Sequence, residues 1–98
     1  MIKTDINGDI GIISLDRPPV NAINHDLTLH LTEALNSLKD NDSINGVILK
    51  GRQGCFSAGL DITELFPKDR SYIENFWKDL SSLLLNMFSY TKPLYSLI

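Results

Sequence analysis

Residues 46–51, "GVILKG", make a short apolar run with no polar alternation, set between two stretches whose apolar residues recur at helical spacing. A run of this length and composition predicts a strand covered on both faces, the kind found in parallel sheets with helical crossovers. The flanking stretches supply those crossovers. Before the run, Leu27, Leu31, Ala34, Leu35 and Leu38 share one helical face, with Asn24 placed as its cap and "KDNDSING" as its stop. After it, Ile73, Phe76, Trp77, Leu80, Leu83, Leu84, Met87 and Phe88 repeat the pattern, and Ser71 with Glu74 predicts a capping box at the start. Pro93 breaks this second helix, and Leu94 to Ile98 predict the opening of another strand.

Upstream, Ile2 to Ile6 and Ile10 to Leu15 flank Asn7-Gly8, a dipeptide that readily supplies two positive φ angles, so a β-hairpin is expected. Pro18-Pro19 then remove two backbone donors and force an extended loop through Val20 to Ile23. Asp61 is placed to cap a short turn of helix through Leu65, before Pro67. The order β-β-α-β-α-β is an α/β arrangement with layered packing. The 98 residues suffice for one small domain, and a chain that stops on entering a strand is expected to be part of a larger fold.

The charge balance narrows the function classes. Net charge is −3 with the two signs interspersed, which gives neither a nucleic-acid footprint nor a basic membrane patch. No apolar run approaches the roughly 20 residues that cross a bilayer. The first ten residues, "MIKTDINGDI", carry neither the apolar core of a signal peptide nor an Arg-rich transit pattern. A single cysteine, Cys55, excludes an internal disulfide and a thiolate metal cluster. The expectation is a cytoplasmic protein without a metal.

"GCFSAGLDI", 54–62, follows the apolar run and is where chemistry is expected. A P-loop would need Lys and a hydroxyl after the second glycine; Leu60 and Asp61 stand there, and a carboxylate repels phosphate. A thiol nucleophile at Cys55 would need His25 or His30 as its base, with no group evident to orient either. Cys55 reads better as a small core residue. Two readings stay open. Ala58 and Gly59 leave room for a ligand against the main chain, and the following turn presents N–H groups suited to a negative oxygen. Alternatively, this is only a tight turn with Asp61 as its cap.

"FSAGLDI", taken with "GVILKG" before it, "LDRPPVNAIN" upstream and "KP" opening a strand after a long helix, resembles the N-terminal part of the crotonase family, the enoyl-CoA hydratases and isomerases. The resemblance spans essentially the whole chain. Leu60 before the aspartate and the pair Phe76-Trp77 look closest to the mitochondrial-type Δ3,Δ2-enoyl-CoA isomerases. It implies a partial crotonase-like fold, N-terminal portion only, in which the Leu60 N–H is half of an oxyanion hole for an acyl-CoA thioester. Ala58, Gly59 and Ile62 would border the CoA path, and Val20, Asn21 and Ala22 would cover it. Asp61 would shape the turn.

The resemblance further implies that no cofactor is needed, since coenzyme A is part of the substrate, and that chains associate as trimers or dimers of trimers. The family's second donor and catalytic glutamates lie beyond these residues, so this stretch alone is expected to be inactive. Of the glutamates present, Glu33 reads as a solvated helix face, Glu74 as a cap and Glu64 as a surface position, with Glu64 kept as a candidate acid. Lys50, Arg52 and Lys92 are available for CoA phosphates, and none is assigned. The alternatives are a hydratase of the same family and a noncatalytic paralogue that binds acyl-CoA or full-length subunits.

Overall fold

Alternating burial along Ile10–Leu15 (β2) sets the orientation of the sheet: Gly11, Ile13 and Leu15 are buried, while Ile10, Ile12 and Ser14 are half-buried. The computed structural model describes residues 1–98. β2 pairs antiparallel with Ile2–Asn7 (β1) and parallel with Gly46–Lys50 (β3), which pairs parallel with Leu94–Leu97 (β4). The sheet order is therefore β1-β2-β3-β4, each new strand added at the same edge. His25–Lys39 (α1) crosses from β2 to β3 and Arg70–Phe88 (α3) from β3 to β4. Two crossovers of constant hand advancing in one direction put both helices on one face of the sheet.

The core lies between that face and the helices. Ile13, Leu15, Val47 and Leu49 from the sheet meet Leu27, Leu31, Leu35 and Leu38 of α1 and Phe76, Leu80 and Leu83 of α3. The expected helical faces are thus the ones turned to the core, apart from Trp77, Leu84 and Phe88, which are exposed. Within these residues β3 is covered on one face only, where cover on both was expected. Register places Ile12 beside Ile48 and Ile48 beside Tyr95 on the opposite face, where no helix packs. Ile48 is half-buried there, and Tyr95 and Leu97 are exposed.

Two local expectations also change. The hairpin loop is Gly8-Asp9, with Asn7 paired to Ile10, and only Gly8 has positive φ, at 65°. One positive φ at the first loop position suits a type II′ turn rather than the two-positive I′ geometry. The capping box at Ser71 does not form: Asp69 caps α3 by accepting from the Tyr72 N–H at 2.9 Å, and Glu74 pairs with Arg70 at 2.8 Å. The cap at Asn24 is as expected, its side chain accepting from the Leu27 N–H. Tyr90 and Lys92 anchor the far end of α1, the Tyr90 hydroxyl donating to the Leu35 carbonyl and the Lys92 ammonium to those of Leu38 and Asn41.

Candidate functional site

The residues singled out in the glycine-rich stretch and in the loop after Pro18-Pro19 come together. The Ala58 N–H donates to the Val20 carbonyl at 2.9 Å, and the Ser57 hydroxyl to that of Asn21 at 2.7 Å. Ile23 and Leu60 then form a parallel bridge: the Ile23 N–H donates to the Gly59 carbonyl at 2.7 Å and the Asp61 N–H to the Ile23 carbonyl at 2.9 Å. In such a bridge the bonds belong to the residues on either side of Leu60, so Leu60's own N–H points away from the loop. The neighbouring donors are occupied, Gly59 by the Ser57 hydroxyl at 3.0 Å and Ile62 by the Leu60 carbonyl at 3.0 Å. The Leu60 N–H has no hydrogen-bond partner within the chain.

Gly59 makes this geometry accessible. Its φ is 92°, a conformation that an L side chain adopts only with strain, while the space beside it is open. Asp61 caps Ile62–Leu65 (α2) by accepting from the Glu64 N–H at 3.1 Å, as expected. Beside the free donor, between α2 and α3, lies a recess of about 230 Å³ lined by Leu60, Ile62, Leu65, Phe66, Ile73, Phe76 and Trp77, all apolar. An unpartnered N–H at the mouth of an apolar recess can receive a polar oxygen carried on an apolar chain.

Arg17 organises the charge, and nothing in the local sequence marks it. Its guanidinium donates to the Ala22 carbonyl and to Asp61, both at 2.8 Å, and to Glu64 at 2.9 Å. The hydrogen bond from Arg17, with that from the Glu64 N–H, holds the Asp61 carboxyl below its ordinary range. Asn24 donates to the same Glu64 oxygen at 3.1 Å. Glu64 is therefore an anchored, half-buried member of an ion pair, which corrects its reading as a free surface position. Asn21, fully buried at positive φ, accepts from the Arg17 N–H and donates to the Leu15 and Phe56 carbonyls. The loop's Val20 is exposed and Ala22 half-buried.

The other candidates disperse. Glu33 and Glu74 are exposed on α1 and α3. Cys55 approaches the Val20 carbonyl at 3.5 Å, whereas His25 meets Asp79 at 2.6 Å, so an orienting group exists for the histidine but the thiol is not its partner. Arg52 faces Asp16 at 3.3 Å, and Lys92 is committed to α1. No helix is long and apolar enough to cross a membrane, and no group of three metal-ligating side chains is present.

A mainly parallel sheet layered by helices on one face, with two loops clasped beside an apolar recess, defines an α/β protein of the crossover class. The family model described as enoyl-CoA hydratase/isomerase matches residues 5–98, and the chain belongs to that family. It is 30% identical over its whole length to enoyl-CoA delta isomerase 1, mitochondrial, of Mus musculus. A probable enoyl-CoA hydratase of Mycobacterium tuberculosis is 35% identical over 71 residues, 71% of this chain and 27% of that protein. The crystal structure of human mitochondrial delta3-delta2-enoyl-CoA isomerase superposes with a TM-score of 0.92 at 28% identity, over 97% of this chain and 38% of that one. The chain thus has the N-terminal part of the crotonase fold. It spans 34% of the length of the mouse isomerase.

Proposed function

We propose that the chain is the acyl-CoA-binding portion of a Δ3,Δ2-enoyl-CoA isomerase, with the Leu60 N–H as one of two donors to the thioester oxygen. The unpaired Leu60 donor carries this reading. In the reaction, a base takes a proton from the carbon next to the thioester carbonyl and the electron pair moves onto the oxygen. The proton then returns at the far carbon of the former double bond. Charge on the oxygen grows toward the transition state, so a donor fixed in advance lowers the barrier more than it tightens binding. Losing one such donor costs about 3 kcal/mol, on the order of a hundredfold in rate.

The acyl chain enters the recess between α2 and α3. Ala58, Gly59 and Ile62 border the thioester and its CoA arm, and Val20, Asn21 and Ala22 flank them. The chemistry asks for no metal or redox cofactor. Glu64 is held by Arg17 and Asn24, and Glu33 and Glu74 are exposed on helices elsewhere, which supports the reading that none of the three is the base. On this proposal the base and the second donor come from outside these residues. Association into trimers or dimers of trimers is part of the same proposal, as is an aqueous, cytoplasmic setting, although the mouse relative is described as mitochondrial.

The local likeness to a bacterial hydratase over 71 residues supports a second reading, addition of water to a 2-enoyl-CoA. Calorimetric titration with 3-hexenoyl-CoA and free CoA, followed by product analysis, tests both. The proposal expects the thioester to bind more tightly than CoA, with no turnover by the 98 residues and 2-hexenoyl-CoA formed once the base is supplied. Equal affinity for both ligands refutes the site. A protein that leaves 3-hexenoyl-CoA unchanged and instead adds water to 2-hexenoyl-CoA, giving the 3-hydroxyacyl thioester, replaces the isomerase by the hydratase.

A further inference from the structure

The bridge that turns the Leu60 N–H outward consists of only two hydrogen bonds, and both flanking segments are loops. Arg17 is the side chain that fastens them. It reaches Ala22, the residue before one bridge partner, and Asp61, the residue after the other. Its third bond, to Glu64, ties the same guanidinium to α2. The arginine is itself fixed, because its N–H donates to the fully buried Asn21 side chain. We propose that Arg17 is the positioning residue of this site, holding the Pro18–Ile23 loop against the Leu60–Glu64 turn so that the Leu60 donor faces the ligand.

Charge gives Arg17 a second task. Asp61 and Glu64 are carboxylates close to the donor, and alone they would oppose negative charge arriving on a ligand oxygen. One guanidinium brings the net charge of the three groups from −2 to −1. A planar fork can serve three oxygens on three separate residues, which a single ammonium cannot do with the same geometry. This inference rests on the reading of Leu60 as an oxyanion donor.

The test compares the parent chain with Arg17→Met and Arg17→Lys, using butanoyl-CoA and the S-butyl-CoA thioether, which lacks the carbonyl oxygen. One net hydrogen bond to that oxygen gives the parent a preference of about fivefold for the thioester. The expected result is that Arg17→Met loses this preference while its thioether affinity stays unchanged, and that the Leu60 amide resonance moves and exchanges its hydrogen faster before any ligand is added. Arg17→Lys falls between.

A purely structural arginine would lower both affinities together or only the melting temperature. Arg17→Met with the parent's preference and an unmoved Leu60 amide overturns the proposal. Should that variant fail to fold, Arg17→Lys and Asp61→Asn carry the same two readouts. A parent chain without thioester preference refutes the oxyanion reading itself, while the Leu60 amide in the ligand-free variants still decides whether Arg17 positions it.

Discussion

Leu60 keeps its N–H free because its neighbours, and not Leu60, close the bridge to Ile23. The conformation that permits this is concentrated at Gly59, so Gly59→Ala strains the backbone without meeting any atom. That change is expected to destabilise the chain by about 1–2 kcal/mol, read as a lowered denaturation midpoint. Asp61 supplies a pH dependence. Its folded carboxyl titrates below the unfolded value, so its contribution to stability is complete above about pH 4 and is lost as pH falls through the lower folded value. Melting temperatures from pH 7 to pH 2 should show this acid loss, and Arg17→Met should shrink it. The small residues and the cap at Asp61 are legible in the sequence because their signals are local. Arg17 is not: its partners Asp61 and Glu64 lie 44 and 47 positions away, and an arginine before two prolines carries no mark of where its fork will point.

At the scale of elements, hydrophobic periodicity locates both long helices and β3, since burial against one sheet face imposes that spacing directly. Their ends are less legible where two capping residues compete. Asp69 and Ser71 both stand before the apolar run, and the structure chooses Asp69, starting the helix at Arg70. Asp69→Ala should therefore cost about 1 kcal/mol, as loss of an N-cap does, while Ser71→Ala leaves chemical denaturation almost unchanged. The reverse ranking would restore the capping box. The hairpin moved by one position for a related reason. Asn-Gly and Gly-Asp are both good turn pairs, and the cross-strand pairing of Asn7 with Ile10 decides between them.

Seen whole, the sheet has one face covered by helices and one left open. Helices cover the Ile13, Val47 and Leu49 side, whereas Ile10, Ile12 and Ile48 are half-buried on the other, next to Tyr95 and Leu97 at 66% and 59% exposure. A second apolar stripe runs along α3 through Trp77, Leu84, Leu85 and Phe88, the last 91% exposed. A continuous apolar run in the sequence shows that a strand wants cover on both sides, but not which residues provide it. Surfaces of this kind drive association. Light scattering of the chain at rising concentration should show species larger than 11.0 kDa, and Leu85→Glu with Phe88→Glu should reduce them. A monomer at every concentration would contradict this.

The most direct measurement follows each backbone amide by 15N–1H correlation spectra while butanoyl-CoA is added. The account predicts that the Leu60 resonance moves downfield and saturates with the ligand, that Asp61 and Ile62 move less, and that the S-butyl thioether leaves Leu60 nearly in place. A Leu60 amide unmoved by bound thioester, or moved equally by the thioether, would contradict the claim that this donor is the carbonyl's partner.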